Sequence, residues 1–326
     1  MKFTHLGRTG LRVSRLCLGT MNFGPVSDEA HSFEIMDEAL SQGINFFDTA
    51  DVYGWKPNQG WTEEIIGRWF AQGGERRERV VLATKCYNGM GKGSMEDWPN
   101  TDKLSARHIR QACDASLKRL QTDYIDLYQM HHVDRESPWE EIWQAMETLV
   151  QQGKILYVGS SNFGGWHIAQ ANERAKSRNF LGLVSEQSKY HLLQREVEME
   201  VAPACEAYGM GILPWSPLAS GVLAGKPEGS VGRRTDGWAA EVYTKHATAL
   251  DQWWALCSEL GERPADVALA WLIHQKAVCA PIIGPRTKEQ LVGSIRAAEI
   301  DLSAEVLAKI DTIFPGFKTS PEHYAW

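Results

Sequence analysis

Four side chains suited to proton transfer stand at or just beyond the ends of short apolar runs. Asp48 and Tyr53 follow Asn45-Phe46-Phe47, Lys85 follows Val80–Thr84, and His131 closes Tyr124–Met130. A carboxylate, a phenol, an ammonium and an imidazole on one rim could deliver a proton to an oxygen that gains negative charge. A free phenol, with a pKa of about 10, is a weak donor near neutrality. An adjacent Lys85 cation favours phenolate and so strengthens the acid. Asp48 would pair with Lys85 and hold it charged and aimed, while His131 would orient the reacting group. Taken alone, each has a plainer role: Asp48 as a turn cap, Tyr53 as a wall residue, Lys85 as a surface lysine, His131 as a core histidine. Their joint placement at three run ends favours chemistry.

His131 is followed by His132, and neighbouring strand residues face opposite ways, so one of the two is expected to point inward. The residues themselves do not decide which. The pair with Asp134 also suggests a metal site, but adjacent ligands on a strand diverge and no HxH or HxxxH accompanies them, so no metal is expected. Cys17, Cys86, Cys113, Cys205, Cys257 and Cys279 lack CxxC spacing, which disfavours a thiolate zinc site and a disulfide framework.

The elements that must position these groups alternate along the chain. Strand-like runs at Leu16–Gly19, Asn45–Phe47, Val80–Thr84, Tyr124–Met130, Ile155–Gly159, Leu183–Glu186, Gly211–Pro214 and Cys279–Ile283 alternate with amphipathic segments. Those segments are Asp28–Gln42, Thr62–Gln72, Ala106–Leu120, Pro138–Gln152, Gly165–Arg178, Glu196–Tyr208, Asp266–Gln275 and Lys288–Ala298. Repeated strand and helix predict a parallel (β/α)8 TIM barrel over 1–326, one domain, with the run ends at the ligand-binding face. Lys2–Leu6 and Leu11–Ser14 flank Gly7-Arg8-Thr9-Gly10, a hairpin closing the floor. Two long connections, Cys86–Leu104 and Ser216–Tyr243, fall at the C-terminal face. A doubly wound fold would need GxGxxG between strand and helix; Gly89-Met90-Gly91-Lys92-Gly93 lies inside a long loop and lacks the spacing.

Asp48-x4-Tyr53-Gly54, Ala83-Thr84-Lys85 and Asp126-Leu127-Tyr128-Gln129-Met130-His131, in this order, resemble the aldo-keto reductase family. The resemblance extends from Gly19-Thr20-Met21 to the helix after Ile283-Gly284-Pro285-Arg286. It implies hydride transfer between NADPH and an aldehyde or ketone, with a tetrad of Asp48, Tyr53, Lys85 and His131 and Tyr53 as general acid. It selects His131 as the first residue after Leu-Tyr-x-x and gives His132 to the substrate pocket; apart from the resemblance, Trp55, Tyr87 and Trp98 could supply further aromatic walls.

The same resemblance implies the cofactor residues. Thr20, Met21 and Asp48 lie near the first strands; Ser161, Asn162 and Gln187 would bind the carboxamide; Trp215, followed by Ser216 and Leu218, would stack on the nicotinamide. Gly284, Arg286, Gln290 and Ser294 would surround the adenosine 2′-phosphate at a helix start. Gly293-Ser294 departs from the Glu-Asn of many members. Lys226, Arg233 and Arg234 could fold over the pyrophosphate or stand in solvent.

A net charge of −7 and a pI near 5.8 argue against nucleic-acid and anionic-membrane surfaces. No apolar run approaches the roughly 20 residues of a membrane span. A cytoplasmic enzyme with a small carbonyl substrate is expected. The alternative is a nicotinamide-binding regulatory subunit of a channel-like partner. The tail His323-Tyr324-Ala325-Trp326 could line the pocket, dock on the body or join a homo-oligomer.

Overall fold

A computed structural model describes residues 1–91, 95–225 and 237–325. The floor hairpin is present: β1 (Phe3–His5) pairs antiparallel with β2 (Arg12–Ser14). The barrel strands are β3 (Cys17–Gly19), β4 (Phe46–Asp48), β5 (Val81–Cys86), β6 (Ile125–Met130), β7 (Ile155–Ser161), β8 (Leu183–Gln187), β9 (Gly211–Ile212) and β10 (Ile282–Ile283). They form one eight-stranded parallel sheet in the order β10-β3-β4-β5-β6-β7-β8-β9. A parallel bridge from Ile212 to Val278 and a bond from Ile282 N–H to Pro214 O at 2.9 Å join its two edges. The (β/α)8 expectation therefore holds.

Strand period explains how this sheet carries a site. Inward positions on β4 run from Phe46 to Asp48, on β5 from Val81 through Ala83 to Lys85, and on β6 from Leu127 to Gln129. The lower members join Leu6, Val13, Cys17, Val184 and Leu213 in an apolar plug above the hairpin. The upper members are polar. Outward positions such as Leu18, Phe47, Leu82 and Tyr128 pack beneath the helices.

Around the sheet run α1 (Glu29–Ser41), α2 (Trp61–Phe70), α3 (Arg76–Arg79), α4 (Ala106–Leu120), α5 (Trp139–Gln151), α6 (Gly165–Ser177) and α7 (Val201–Ala207), followed by α8 (Gly237–Lys245), α9 (Ala247–Leu260), α10 (Pro264–His274), α11 (Lys288–Ile295) and α12 (Ala304–Ile313). Asp28, Ser105, Thr287 and Ser303 cap α1, α4, α11 and α12, each accepting a backbone N–H with its side chain. Gly43 and Gly153, both at φ near +70 to +80° (79° and 69°), end α1 and α5 as the repeated Gln-Gly pattern predicts.

Three expectations change. The segment Glu196–Tyr208 is a 3-10 turn at Glu196–Glu198 followed by α7, because the ring of Pro203 cannot coexist with a helical carbonyl at Met199. That carbonyl instead accepts from Ser320 N–H at 2.9 Å. The expected loop Ser216–Tyr243 contains a helical turn at Ala219–Ala224 and the start of α8. Lys226, Arg233 and Arg234 lie outside the described residues, as do Lys92, Gly93 and Trp326. Helices α9 and α12 are additions to the alternating pattern. No helix among the described residues is long and apolar enough to cross a membrane.

Candidate active site

Asp48 ends β4 and Lys85 lies one residue short of the end of β5, both facing inward, so two distant segments meet at the rim. Lys85 Nζ donates to Asp48 Oδ2 at 2.7 Å, to Thr49 O at 2.8 Å and to Tyr53 Oη at 3.2 Å. An ammonium has three N–H groups, so this set accounts for all of them. Tyr53 is carried on the turn after β4. Gly54 follows at φ 113°, and a Cβ there would lie 2.1 Å from Asn58 O, so only glycine allows the chain to fold back. The Tyr53 carbonyl then accepts from Gly60 N–H at 3.0 Å, fixing the phenol over Lys85.

Asp48 is braced from two more strands. Its Oδ1 accepts from Gln129 Nε2 at 3.0 Å and Gln187 Nε2 at 2.8 Å. Thr20, on the far side, donates to Asp48 O through Oγ1 at 2.9 Å and through N–H at 3.0 Å. The buried carboxylate is therefore paired with a cation and saturated with donors, which such burial requires.

The electrostatics differ from expectation in one respect. Burial raises the Tyr53 phenol above its ordinary value, and the downward pull of Lys85 does not overcome it. Burial disfavours the Lys85 ammonium, but Asp48 and Tyr53 more than offset this and its pKa rises. Near neutral pH the pair is thus ammonium and neutral phenol.

His131 follows β6, held by its N–H to Cys86 O at 2.9 Å. Its ring meets Tyr53 edge-on, with centroids 6.2 Å apart. Burial, then Lys85 and His132, push its pKa down to about 2, so the imidazole is neutral. The expected divergence of His131 and His132 does not occur: their rings stack 4.9 Å apart at an interplanar angle of 4°. Met130 ends the strand, so strict alternation no longer applies beyond it. Asp134 is committed elsewhere, accepting from Leu104 N–H at 3.0 Å, Glu136 N–H at 2.9 Å and Ser137 Oγ at 2.7 Å.

A cavity of about 260 Å³ is lined by Val52, Trp55, Gln59, Asn88, Asp97 and Asp102 among others; Asp48, Tyr53, Lys85 and His131 are not among its lining residues. Trp55 tilts over Tyr53 at 6.4 Å, and Tyr87 meets His132 edge-on at 5.2 Å. Of the four expected substrate-pocket residues Trp55 lines this cavity, whereas Tyr87, His132 and Trp98, the last 58% exposed, are not among its lining residues. Ahead of the tail, Phe317 N–H donates to Glu198 Oε2 at 3.1 Å; within it, His323 meets the Phe317 ring edge-on at 4.9 Å and Tyr324 is exposed.

A family model described as the aldo/keto reductase family matches residues 15–314. The chain belongs to the aldo/keto reductase family. It is 56% identical to the "Uncharacterized oxidoreductase YrpG" of Bacillus subtilis, over all of both chains. It is 33% identical to versiconal hemiacetal acetate reductase of Aspergillus parasiticus, covering 95% of this chain and 96% of that one. A Schizosaccharomyces pombe protein named as a voltage-gated potassium channel subunit beta is 36% identical, covering 95% and 92%.

In this aldo/keto reductase the expected cofactor residues line the same rim. Asn162, at φ 61°, donates through Nδ2 to His131 O at 3.1 Å and accepts from Trp215 Nε1 at 3.2 Å. Ser161 Oγ donates to Gln187 O at 2.8 Å. Ser216, at φ 52°, turns the chain from Trp215 toward Leu218. Met21 is half-buried just past Thr20. Farther round, Thr287 starts α11, and Gln290 Oε1 accepts from Arg286 N–H at 2.8 Å. Arg286 O accepts from Ser27 Oγ at 3.0 Å, Gly284 O from Asn22 Nδ2 at 3.0 Å, and Ser294 Oγ donates to Gln290 O at 2.9 Å.

Sequence reasoning missed Gln129, Asn88, Asn22 and Glu186. Gln129 could have been found from its place two residues beyond Leu127 on an alternating strand. Glu186 is buried, accepting from Ser160 Oγ at 2.5 Å, Ser188 Oγ at 2.8 Å and Phe163 N–H at 3.0 Å. It thereby ties down both sides of Ser161-Asn162. Burial, opposed by these bonds, pushes its carboxyl up to about 7.

Proposed function

We propose that this chain reduces aldehydes or ketones with NADPH, Tyr53 acting as the proton donor. The observation that carries this is the use of the Lys85 ammonium. It donates to the phenol oxygen, so the phenol's own hydrogen is left to donate elsewhere. Hydride addition to a carbonyl carbon places negative charge on its oxygen, which the Tyr53 O–H can neutralise while a neutral His131 N–H supports it. The phenolate left behind faces the Lys85 cation, with Asp48 holding that cation in place. Solvent then returns a proton to Tyr53. The dinucleotide, when bound, supplies the hydride.

The residues present suit such a group. Asn22 Oδ1 is buried and has no hydrogen-bond partner among the described residues, an orphaned acceptor beside Gly284 that a sugar hydroxyl could satisfy. Ser161, Asn162 and Gln187 offer amide and hydroxyl groups to a carboxamide, and Trp215, half-exposed, offers a flat face. The Arg286 guanidinium has no partner among the described residues and stands at the start of α11, where N–H groups and dipole both favour an anion. That arrangement supports preference for the extra phosphate of NADPH.

The test is a panel of aldehydes and ketones with excess NADPH, followed at the nicotinamide absorbance. Turnover abolished in Tyr53→Phe is the expected result. The 36% identity to the Schizosaccharomyces pombe protein favours a second reading, a nicotinamide-binding regulatory subunit. Tight NADPH binding without turnover of any carbonyl would favour that reading.

A further inference from the structure

From the rim geometry we infer that Asn88 is a positioning residue that selects the tautomer of His131, keeping its one N–H on Nε2. This rests on the reading of His131 as the carbonyl-orienting group. Asn88 lies three residues beyond Lys85 on the loop after β5, and its Nδ2 is 3.2 Å from His131 Nδ1. An amide nitrogen donates and does not accept, so with the Asn88 amide in this orientation Nδ1 is the unprotonated, accepting nitrogen. A neutral imidazole carries a single N–H, and the bond made at one nitrogen decides where the proton sits. The backbone leaves the ring little other freedom. His131 N–H is held by Cys86 O at 2.9 Å, His131 O by Asn162 Nδ2 at 3.1 Å, and the ring face by His132 at 4.9 Å. The proton's location is the remaining choice, and Asn88 makes it.

Asn88 also lines the 260 Å³ cavity together with Trp55, whose ring lies 6.4 Å from that of Tyr53, the group proposed to protonate a carbonyl oxygen. With Nδ1 occupied, Nε2–H is the imidazole's one hydrogen-bond donor for that carbonyl oxygen. Without Asn88 the proton could sit on Nδ1 and leave Nε2 a lone pair, which repels a developing oxyanion.

The test uses the full chain labelled with ¹⁵N at histidine, with the His131 signals assigned by their loss in His131→Gln. Wild type is expected to show an unprotonated Nδ1 and a protonated Nε2. Asn88→Asp offers only acceptors at that point and should move the proton to Nδ1. Its kcat should fall at least about tenfold, while the carbonyl KM and NADPH affinity stay within about threefold. Asn88→Ala should give a mixture of tautomers and an intermediate kcat. A wild-type His131 protonated at Nδ1 overturns the proposal and requires no variant to fold. So does an unchanged tautomer in a folded Asn88→Asp. Because the ¹⁵N measurement needs no turnover, failure of the Asn88 contact is separable from failure of the carbonyl-reductase reading.

Discussion

Tyr53→Phe removes one oxygen, and the structure allows the consequences to be separated. Lys85 loses its longest bond, at 3.2 Å, and keeps those to Asp48 and Thr49 O at 2.7 and 2.8 Å. One buried Lys85 N–H is left without an acceptor, a cost of about 1–3 kcal/mol that the fold should survive. The ring still packs against Trp55 and His131, which keeps the cavity wall in place. Carbonyl reduction, in contrast, loses its general acid, typically worth about 10²–10⁴ in rate, or roughly 2.7–5.4 kcal/mol of barrier. The assay is kcat at saturating NADPH for wild type and variant, with urea unfolding and NADPH fluorescence titration as controls. The expected pattern is a kcat lower by about that factor, NADPH affinity within about twofold and stability within about 3 kcal/mol. A folded, cofactor-binding Tyr53→Phe that reduces aldehydes at the wild-type rate refutes the assignment of Tyr53 as acid.

Lys85→Met should damage both activity and fold, because it leaves the buried Asp48 carboxylate without its cation. A loss of about 3–5 kcal/mol in urea unfolding is expected, with Lys85→Met/Asp48→Asn recovering part of it. His131→Ala should cost about 2.7–4 kcal/mol in kcat/KM, whereas His132→Ala should mainly shift preference among carbonyls, and a swap of these effects would reverse their roles. Arg286→Ala should weaken NADPH binding more than NADH binding in parallel fluorescence titrations. Glu186 has a folded pKa raised to about 7, so the native state holds a proton that the unfolded chain releases at lower pH. Its contribution should therefore be full below about pH 4.3, the ordinary Glu value, and decline as pH rises toward 7. Glu186→Gln should flatten that part of a stability-against-pH curve.

The barrel was legible because its evidence is local and repeated. Short apolar runs, Gly-terminated helices and capping residues such as Ser105 recur along the chain, and each is set by neighbours in sequence. The same alternation put Asp48, Lys85 and His131 at strand ends. It had no place for α9 and α12, since one helix per strand already completes the pattern. What the tertiary structure alone decided is the wiring between those ends. Gln129 and Gln187 reach Asp48 across 81 and 139 residues, and Asn88 reaches His131 across 43. No local pattern marks an amide for a partner so distant. The acidity of Tyr53 was decided the same way. Adjacency to Lys85 predicts a lowered pKa, yet the phenol is raised, because desolvation depends on everything packed around the group and not on its nearest charge.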